Sequence, residues 1–112
     1  MALVDDPNRY GSGVWAVNAA GTTAGATATQ AAGTATQKQA AMGVQCSGDA
    51  ACLVTIESPA STVIWRKRFA AAFTHSEQFP VPLVGAAGQA ILTKISASTA
   101  NCEANMQGFT TS

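Results

Sequence analysis

The sequence has little charge, few aromatic side chains and one histidine, and each shortage excludes a class of protein. Charged residues make up 11% of the 112 residues, and six Lys and Arg balance six Asp and Glu, so the formal net charge is zero. A protein that binds nucleic acid by neutralising phosphates needs a basic surplus, which this chain lacks. The single histidine, His75, excludes a histidine-rich metal site. We therefore expect no nucleic-acid partner and no bound metal.

Long apolar runs are also missing. No run approaches 18 residues, so we expect no membrane-spanning segment and no membrane partner. The opening residues, MALVDDPNRY, lack a basic region followed by an apolar stretch, which argues against a secretory signal and favours a cytoplasmic product. Cys46, Cys52 and Cys102 have no zinc-site spacing, and in a reducing compartment we expect free, buried thiols. Cys46 and Cys52 could still face each other across a hairpin, within reach of a disulfide.

Catalytic motifs are absent from the sequence. His75 and Ser76 are adjacent, and adjacent strand residues point to opposite faces, so they cannot act as base and nucleophile. No serine lies in a G-x-S-x-G motif, the six acidic residues are scattered, and the glycines of GAAGQ (85–89) are not followed by a lysine. We expect that the chain is not an enzyme and holds no cofactor.

Short segments with strand-like patterns fill most of the chain. Alternating or β-branched stretches separated by Gly, Pro, Ser and Asp turns are typical of a β-sandwich or barrel. The length allows one domain, and about eight strands predict an antiparallel β-sandwich of the jelly-roll type. The predicted strands are 14–17, 26–30, 37–47, 51–59, 62–69, 71–79 and 101–110, with a proline-led extended segment at 80–89 and a strand at 90–98.

An N-terminal arm, residues 1–13, precedes the predicted sandwich domain, residues 14–112. Turn-forming residues dominate the arm, but it also carries three apolar side chains that need a surface on which to pack. We therefore predict that the arm docks on a neighbouring subunit. The residues predicted to bind the partner there are Leu3, Val4, Tyr10 and, in the first strand, Trp15.

The stretch STVIWRKRF (61–69) holds three consecutive cations between two aromatic residues. On a strand, Val63, Trp65, Lys67 and Phe69 would share one face, while Ile64, Arg66 and Arg68 would share the other. One interpretation is a solvated sheet face, with the stem of Lys67 lying on Trp65 or Phe69. The other is a contact patch in which Arg66 and Arg68 pair with carboxylates of a partner.

The segment from Gly48 to Phe109 resembles a group of small jelly-roll structural proteins of tailed bacteriophages. The resemblance rests on LVTIES (53–58) followed by TVIWRKRF (62–69), on FPVPLVGAAGQAILTKIS (79–96), and on a last strand ending in GF. Such proteins serve as capsid decoration, or cement, proteins. The resemblance implies a homotrimer on the capsid surface, assembled in host cytoplasm, that binds the major capsid protein and bridges capsomers.

Alternatives of other classes remain open at this point. One is a fibre or receptor-binding domain that binds glycans, and another is a head-completion or tail-tube component. An enzyme of unknown type is a further alternative, although it would need convergent polar residues that the sequence does not show.

Overall fold

Strands dominate the computed structural model, which describes residues 13–22, 25–96 and 101–111. The strands form where the sequence alternates or is β-branched, and eight are present in the described ranges. They are β1 (Trp15–Gly21), β2 (Ala26–Gln30), β3 (Lys38–Gly48), β4 (Cys52–Glu57), β5 (Val63–Phe69), β6 (Phe73–Val84), β7 (Ile91–Ile95) and β8 (Cys102–Thr111). Within these ranges no helix is long and apolar enough to cross a bilayer.

The eight strands form two four-stranded antiparallel sheets. One, the β1 sheet, has the order β1-β8-β3-β6, and the other, the β2 sheet, has the order β2-β7-β4-β5. Strand β1 pairs with β8, β2 with β7, β3 with β6 and β4 with β5. The chain is thus one long hairpin wound into two sheets, which is the jelly-roll arrangement. The predicted fold class, an antiparallel sandwich of eight strands, is confirmed.

The core between the sheets contains few large side chains. Its largest fully buried apolar side chains are Val44, Val54, Ile56, Ile91, Ile95 and Met106. Several facing positions are alanine or glycine, which lets the sheets approach closely. Gly108 on β8 lies under the ring of Trp15, and a Cβ built there would come within 2.7 Å of Trp15 Cζ2. A methyl group at position 108 has no room, so this glycine is needed for packing.

A β-bulge between β4 and β5 corrects one sequence prediction. Ile56 pairs with Trp65, but the next residue, Glu57, pairs with Val63, so Ile64 is the extra residue. This register shift places Ile64 against the core beside Trp65 and moves Val63 to the outer face, where Val63 is 37% exposed. The prediction that Val63 shares a face with Trp65 was therefore wrong, because strict alternation does not allow for an inserted residue.

The proline-led segment is also corrected. Residues 80–84 do not form a separate element but continue β6, which runs from Phe73 to Val84. The register between β3 and β6 shifts here, since Gly43 pairs with Gln78 while Ala41 pairs with Leu83. Pro80 and Pro82 lie in this irregular part of an edge strand, where a missing N–H breaks no ladder hydrogen bond.

Candidate functional site

The outer face of the β2 sheet carries three of the five exposed lysines and arginines in the described ranges. Arg66 on β5 and Lys94 on β7 lie on either side of Thr55 on β4, and Arg68 pairs with Leu53. All three cationic side chains are exposed. We call this surface, built from Leu53, Thr55, Glu57, Val63, Arg66, Arg68 and Lys94, the cationic face. The alternation predicted for Arg66 and Arg68 is confirmed by the strand register.

A buried carboxylate lies within the cationic face. Glu57 is 7% exposed and accepts hydrogen bonds from Thr55 Oγ1 and from the backbone N–H of Ser61, each at 2.7 Å. Burial alone would raise the pKa of Glu57, but these two hydrogen bonds and the charge of Lys94 outweigh it and lower the pKa below 4.5. Glu57 is therefore ionised at neutral pH, and each of its oxygens accepts a hydrogen bond from within the chain. The exposed charge of the face is positive.

Glu57 also supports the turn between β4 and β5. Ser61 has a φ of 77°, a region that side chains other than glycine rarely adopt. Its N–H donates to Glu57 Oε1, and the N–H of Thr62 donates to the carbonyl oxygen of Pro59 at 2.9 Å. The carboxylate thus fixes the turn that leads into the strand bearing Arg66 and Arg68.

An open hollow of about 200 Å³ lies beside Lys94 on the cationic face. Its apolar lining residues are Leu53 and Val63, and its polar lining residues are Thr55, Glu57, Lys94 and Ser96. The backbone N–H of Leu53 donates to Ser96 Oγ at 2.9 Å, which fixes one wall of the hollow. A ligand that fits this surface would combine an apolar side chain with negative charge.

The outer face of the β1 sheet is different in chemistry. Its central row crosses all four strands through Asn18, Asn105, Gln45 and Ser76, which are register partners. We call the surface made by this row and its two flanking rows the amide face. The flanking rows are Ala16, Gln107, Gly43 and Gln78 on one side, and Ala20, Glu103, Ser47 and Thr74 on the other. Glu103 is the one charged residue in these three rows.

The third cation of the RKR stretch, Lys67, lies apart from the other two. It points to the inner side at the edge where β5 meets β6, with its Nζ 5.9 Å from the ring centroid of Phe69. Phe69 in turn stacks on Phe73 at 3.9 Å. Lys67 thus snorkels over Phe69, as one interpretation of the sequence predicted. The three consecutive cations therefore do not form one cluster.

The same edge holds a hydrogen-bonded histidine–carboxylate pair. His75 Nε2 and Glu77 Oε1 are 2.9 Å apart, on the same side of β6. Ser76 points to the amide face, as its pairing with Gln45 requires, so it is not a partner of His75. This geometry agrees with the sequence argument against a His75–Ser76 catalytic pair.

The three cysteines are free and buried, as expected. Burial, followed by the nearby Cys52 and Glu77, raises the pKa of Cys46 to about 11. A thiol with this pKa is protonated at neutral pH and is a poor nucleophile. In the described ranges no three His, Cys, Asp or Glu side chains come together in a way that could hold a metal ion.

The predicted partner-binding residues fall into three groups according to where they lie. Arg66 and Arg68 lie together on the cationic face. Leu3, Val4 and Tyr10 lie outside the described residues, as does the predicted arm up to residue 12.

Trp15 was predicted to contact a partner, but the structure places its ring in the core, 9% exposed, against Met106 and Gly108. A buried ring is not available to a partner while the sandwich is folded, which corrects this prediction. Its Nε1 has no hydrogen-bond partner among the described residues.

Sequence reasoning missed the parts of the cationic face that come from different strands. Glu57 and Lys94 are far apart in the sequence, and only the pairing of β4 with β7 brings them to one surface. The T-x-E spacing of Thr55 and Glu57 was a usable signal, since residues i and i+2 of a strand share a face.

Comparison with protein-family models, with curated proteins and with solved structures finds no match to this chain.

Proposed function

We propose that the chain is a structural protein of a tailed-bacteriophage virion that decorates the capsid and stabilises it by bridging capsomers. The jelly-roll strand order and the resemblance of residues 48–109 to phage structural proteins support this. In this proposal the partners are the major capsid protein and further copies of the chain, and the location is the capsid surface after assembly in host cytoplasm.

The observation that carries the proposal is the amide face. Charged residues are depleted at the centres of protein interfaces, because burying an unpaired charge is costly. The amide face spans four strands, and its central row of Asn18, Asn105, Gln45 and Ser76 is uncharged. Amide and hydroxyl groups can both donate and accept hydrogen bonds, so they adapt to a polar partner surface. We assign this face to the major capsid protein.

The cationic face supplies a second contact in the proposal. Arg66 and Arg68 are exposed, and arginine binds carboxylates through two parallel hydrogen bonds. A decoration protein that bridges capsomers as an oligomer needs one surface for the capsid and another for further copies of itself. Two chemically different faces on opposite sides of one sandwich meet that requirement.

Fractionation of particles tests this function. An antibody against the purified chain is used to probe gradient fractions from lysates of the cells that produce it, followed by immunogold labelling of the particles. We expect the chain to sediment with phage heads and the gold to lie on the head surface. A chain found only in slowly sedimenting fractions, or gold confined to tails, would refute capsid decoration.

A second candidate function is glycan binding by a fibre or receptor-binding domain. The same amide row favours it, because Asn and Gln side chains pair well with sugar hydroxyls. A glycan array with the wild-type chain and with the Gln45→Ala/Asn105→Ala variant separates the two. Binding that the variant loses would favour the receptor-binding function, whereas an array without signal would leave capsid decoration as the better account.

A further inference from the structure

We propose that residues 3–6 of one copy dock on the cationic face of a second copy. Asp5 and Asp6 would pair with Arg66 and Arg68, and Leu3 and Val4 would cover the hollow. This inference rests on the proposed function, in which copies of the chain associate, and it names the surfaces that meet.

The cationic face lacks carboxylate partners among the described residues. Asp49, Glu57, Glu77 and Glu103 are the described acids, and none lies within 4.0 Å of an arginine or lysine nitrogen in that part of the chain. Glu57 is closest in the sheet, but its oxygens accept from Thr55 and Ser61. The remaining acids of the sequence are Asp5 and Asp6, which are also its one pair of adjacent carboxylates.

The composition of the arm matches the composition of the face. The segment LVDD places two apolar side chains directly before two carboxylates. On the face, Leu53 pairs with Arg68 and Val63 pairs with Glu57, so an apolar side chain lies at each end of the stretch that bears Arg66 and Arg68. Arg–carboxylate pairs give orientation as well as binding energy, and the apolar contacts add burial that salt does not screen.

Chain length favours docking between copies over docking within one copy. The carbonyl oxygen of Gly13 accepts a hydrogen bond from the N–H of Thr110 at 3.0 Å, so the arm leaves the sandwich beside β8 at the β1 edge. Seven peptide units join Asp6 to Gly13, which span at most about 25 Å when fully extended.

The path within one copy takes up nearly all of that reach. Strand β5, which bears Arg66 and Arg68, is at the opposite edge of the other sheet. Three strand spacings and one sheet spacing amount to about 24 Å, before the segment rounds any side chain. Only a fully stretched arm could follow this route, whereas the face of a neighbouring copy is under no such limit.

Charge-reversed variants of the full chain test the docking. We compare Arg66→Glu/Arg68→Glu with Asp5→Arg/Asp6→Arg by light scattering after size exclusion. Each variant alone should lose self-association by about a hundredfold in Kd, because like charges then face each other. The matched control is Lys67→Glu on the same strand but the other face, and it should associate like wild type. Circular dichroism checks that every variant is folded.

Mixing the two variants gives the decisive result. The intact arm of the Arg66→Glu/Arg68→Glu chain can dock on the intact face of the Asp5→Arg/Asp6→Arg chain. We therefore expect a mixed oligomer from two chains that are each monomeric alone. A mixture that stays monomeric, a monomeric wild-type chain, or an Arg66→Glu/Arg68→Glu variant that self-associates normally would overturn the inference.

A peptide of residues 1–12 provides a measurement that needs no substitution in the sandwich. Added to the wild-type chain, it should compete with the arm and dissociate the oligomer, while a scrambled peptide should not. An oligomer unaffected by excess peptide would contradict the docking. These experiments use no capsid, so their failure is distinguishable from failure of the chain to sediment with phage heads.

Discussion

The two outer faces of this sandwich are built on the same strand geometry but differ in chemistry. The cationic face has exposed Arg66, Arg68 and Lys94, a hollow beside Lys94, and a buried, ionised Glu57. The amide face has one charge, Glu103, in its three central rows. In our proposal the first face recognises a partner by charge, so its binding should depend on salt. The second can cover a broad polar surface at low desolvation cost, and its binding should depend much less on salt.

The largest expected effect comes from placing charge on the amide face. The Gln45→Lys/Asn105→Lys variant should reduce attachment to phage heads by about a hundredfold, because two unpaired charges would be buried at the interface. Self-association through the cationic face should be unchanged. Co-sedimentation with purified heads measures the attachment.

A matched control for that variant adds the same charge elsewhere. Ala31→Lys/Ala32→Lys places two lysines in the exposed loop between β2 and β3, away from both faces. This variant should attach like wild type. Equal losses in both variants would mean that total charge, rather than the amide face, determines attachment.

Removal of the buried Glu57 carboxylate should have the next largest effect, on the free energy of unfolding. Glu57→Ala leaves the Thr55 hydroxyl and the Ser61 N–H without their acceptor and should lower the free energy of unfolding by about 2 kcal/mol. Glu103→Ala, on the exposed amide face, should change it by no more than about 0.5 kcal/mol. Urea unfolding of both variants measures the difference, and equal losses would contradict the role given to Glu57.

Acid should remove from the wild-type chain the stabilisation that ionised Glu57 provides. Because the folded-state pKa of Glu57 is lowered below 4.5, its stabilisation is present above about pH 4.5 and is lost as the pH falls through the lowered pKa. The stability difference between wild type and Glu57→Gln should therefore be constant near neutral pH and shrink in acid. A difference that grows as the pH falls would show that the pKa is raised instead.

Replacing Lys94 should have the smallest effect on the free energy of unfolding. Its charge helps to lower the pKa of Glu57, but the side chain is exposed and its interaction is screened by solvent. Lys94→Met should change the free energy of unfolding by less than about 0.5 kcal/mol and should shift the acid transition to slightly higher pH. Lys38→Met, which carries no such interaction, should leave that transition where it is.

The fold was predictable because the strand signals are local. Alternation in ATATQ and in the stretch around Arg66 gave both the strands and the side of the sheet for the two arginines. Alternation failed at Val63, where the pairing partner, Glu57, sets a bulge that β5 alone does not reveal. It also failed for Pro80 and Pro82, which looked like a break but continue an edge strand.

The candidate site was less predictable because it is assembled across strands. Arg66 and Arg68 were identified from one segment, but Lys94 and Glu57 join them only through the order β7-β4-β5. Trp15 was assigned to a partner because an aromatic residue next to the arm suggests an anchor. In the structure a glycine on β8 makes room for its ring inside the sandwich, and nothing in the first strand indicates that glycine.

Lysine footprinting of the associated and dissociated chain tests the central claim that the cationic face is a contact surface. Reductive methylation read by mass spectrometry compares Lys94, beside the hollow, with Lys38, at the start of β3. We predict that association protects Lys94 strongly and leaves the labelling of Lys38 unchanged. Equal labelling of Lys94 in both states would show that the cationic face stays open to solvent and would contradict the account.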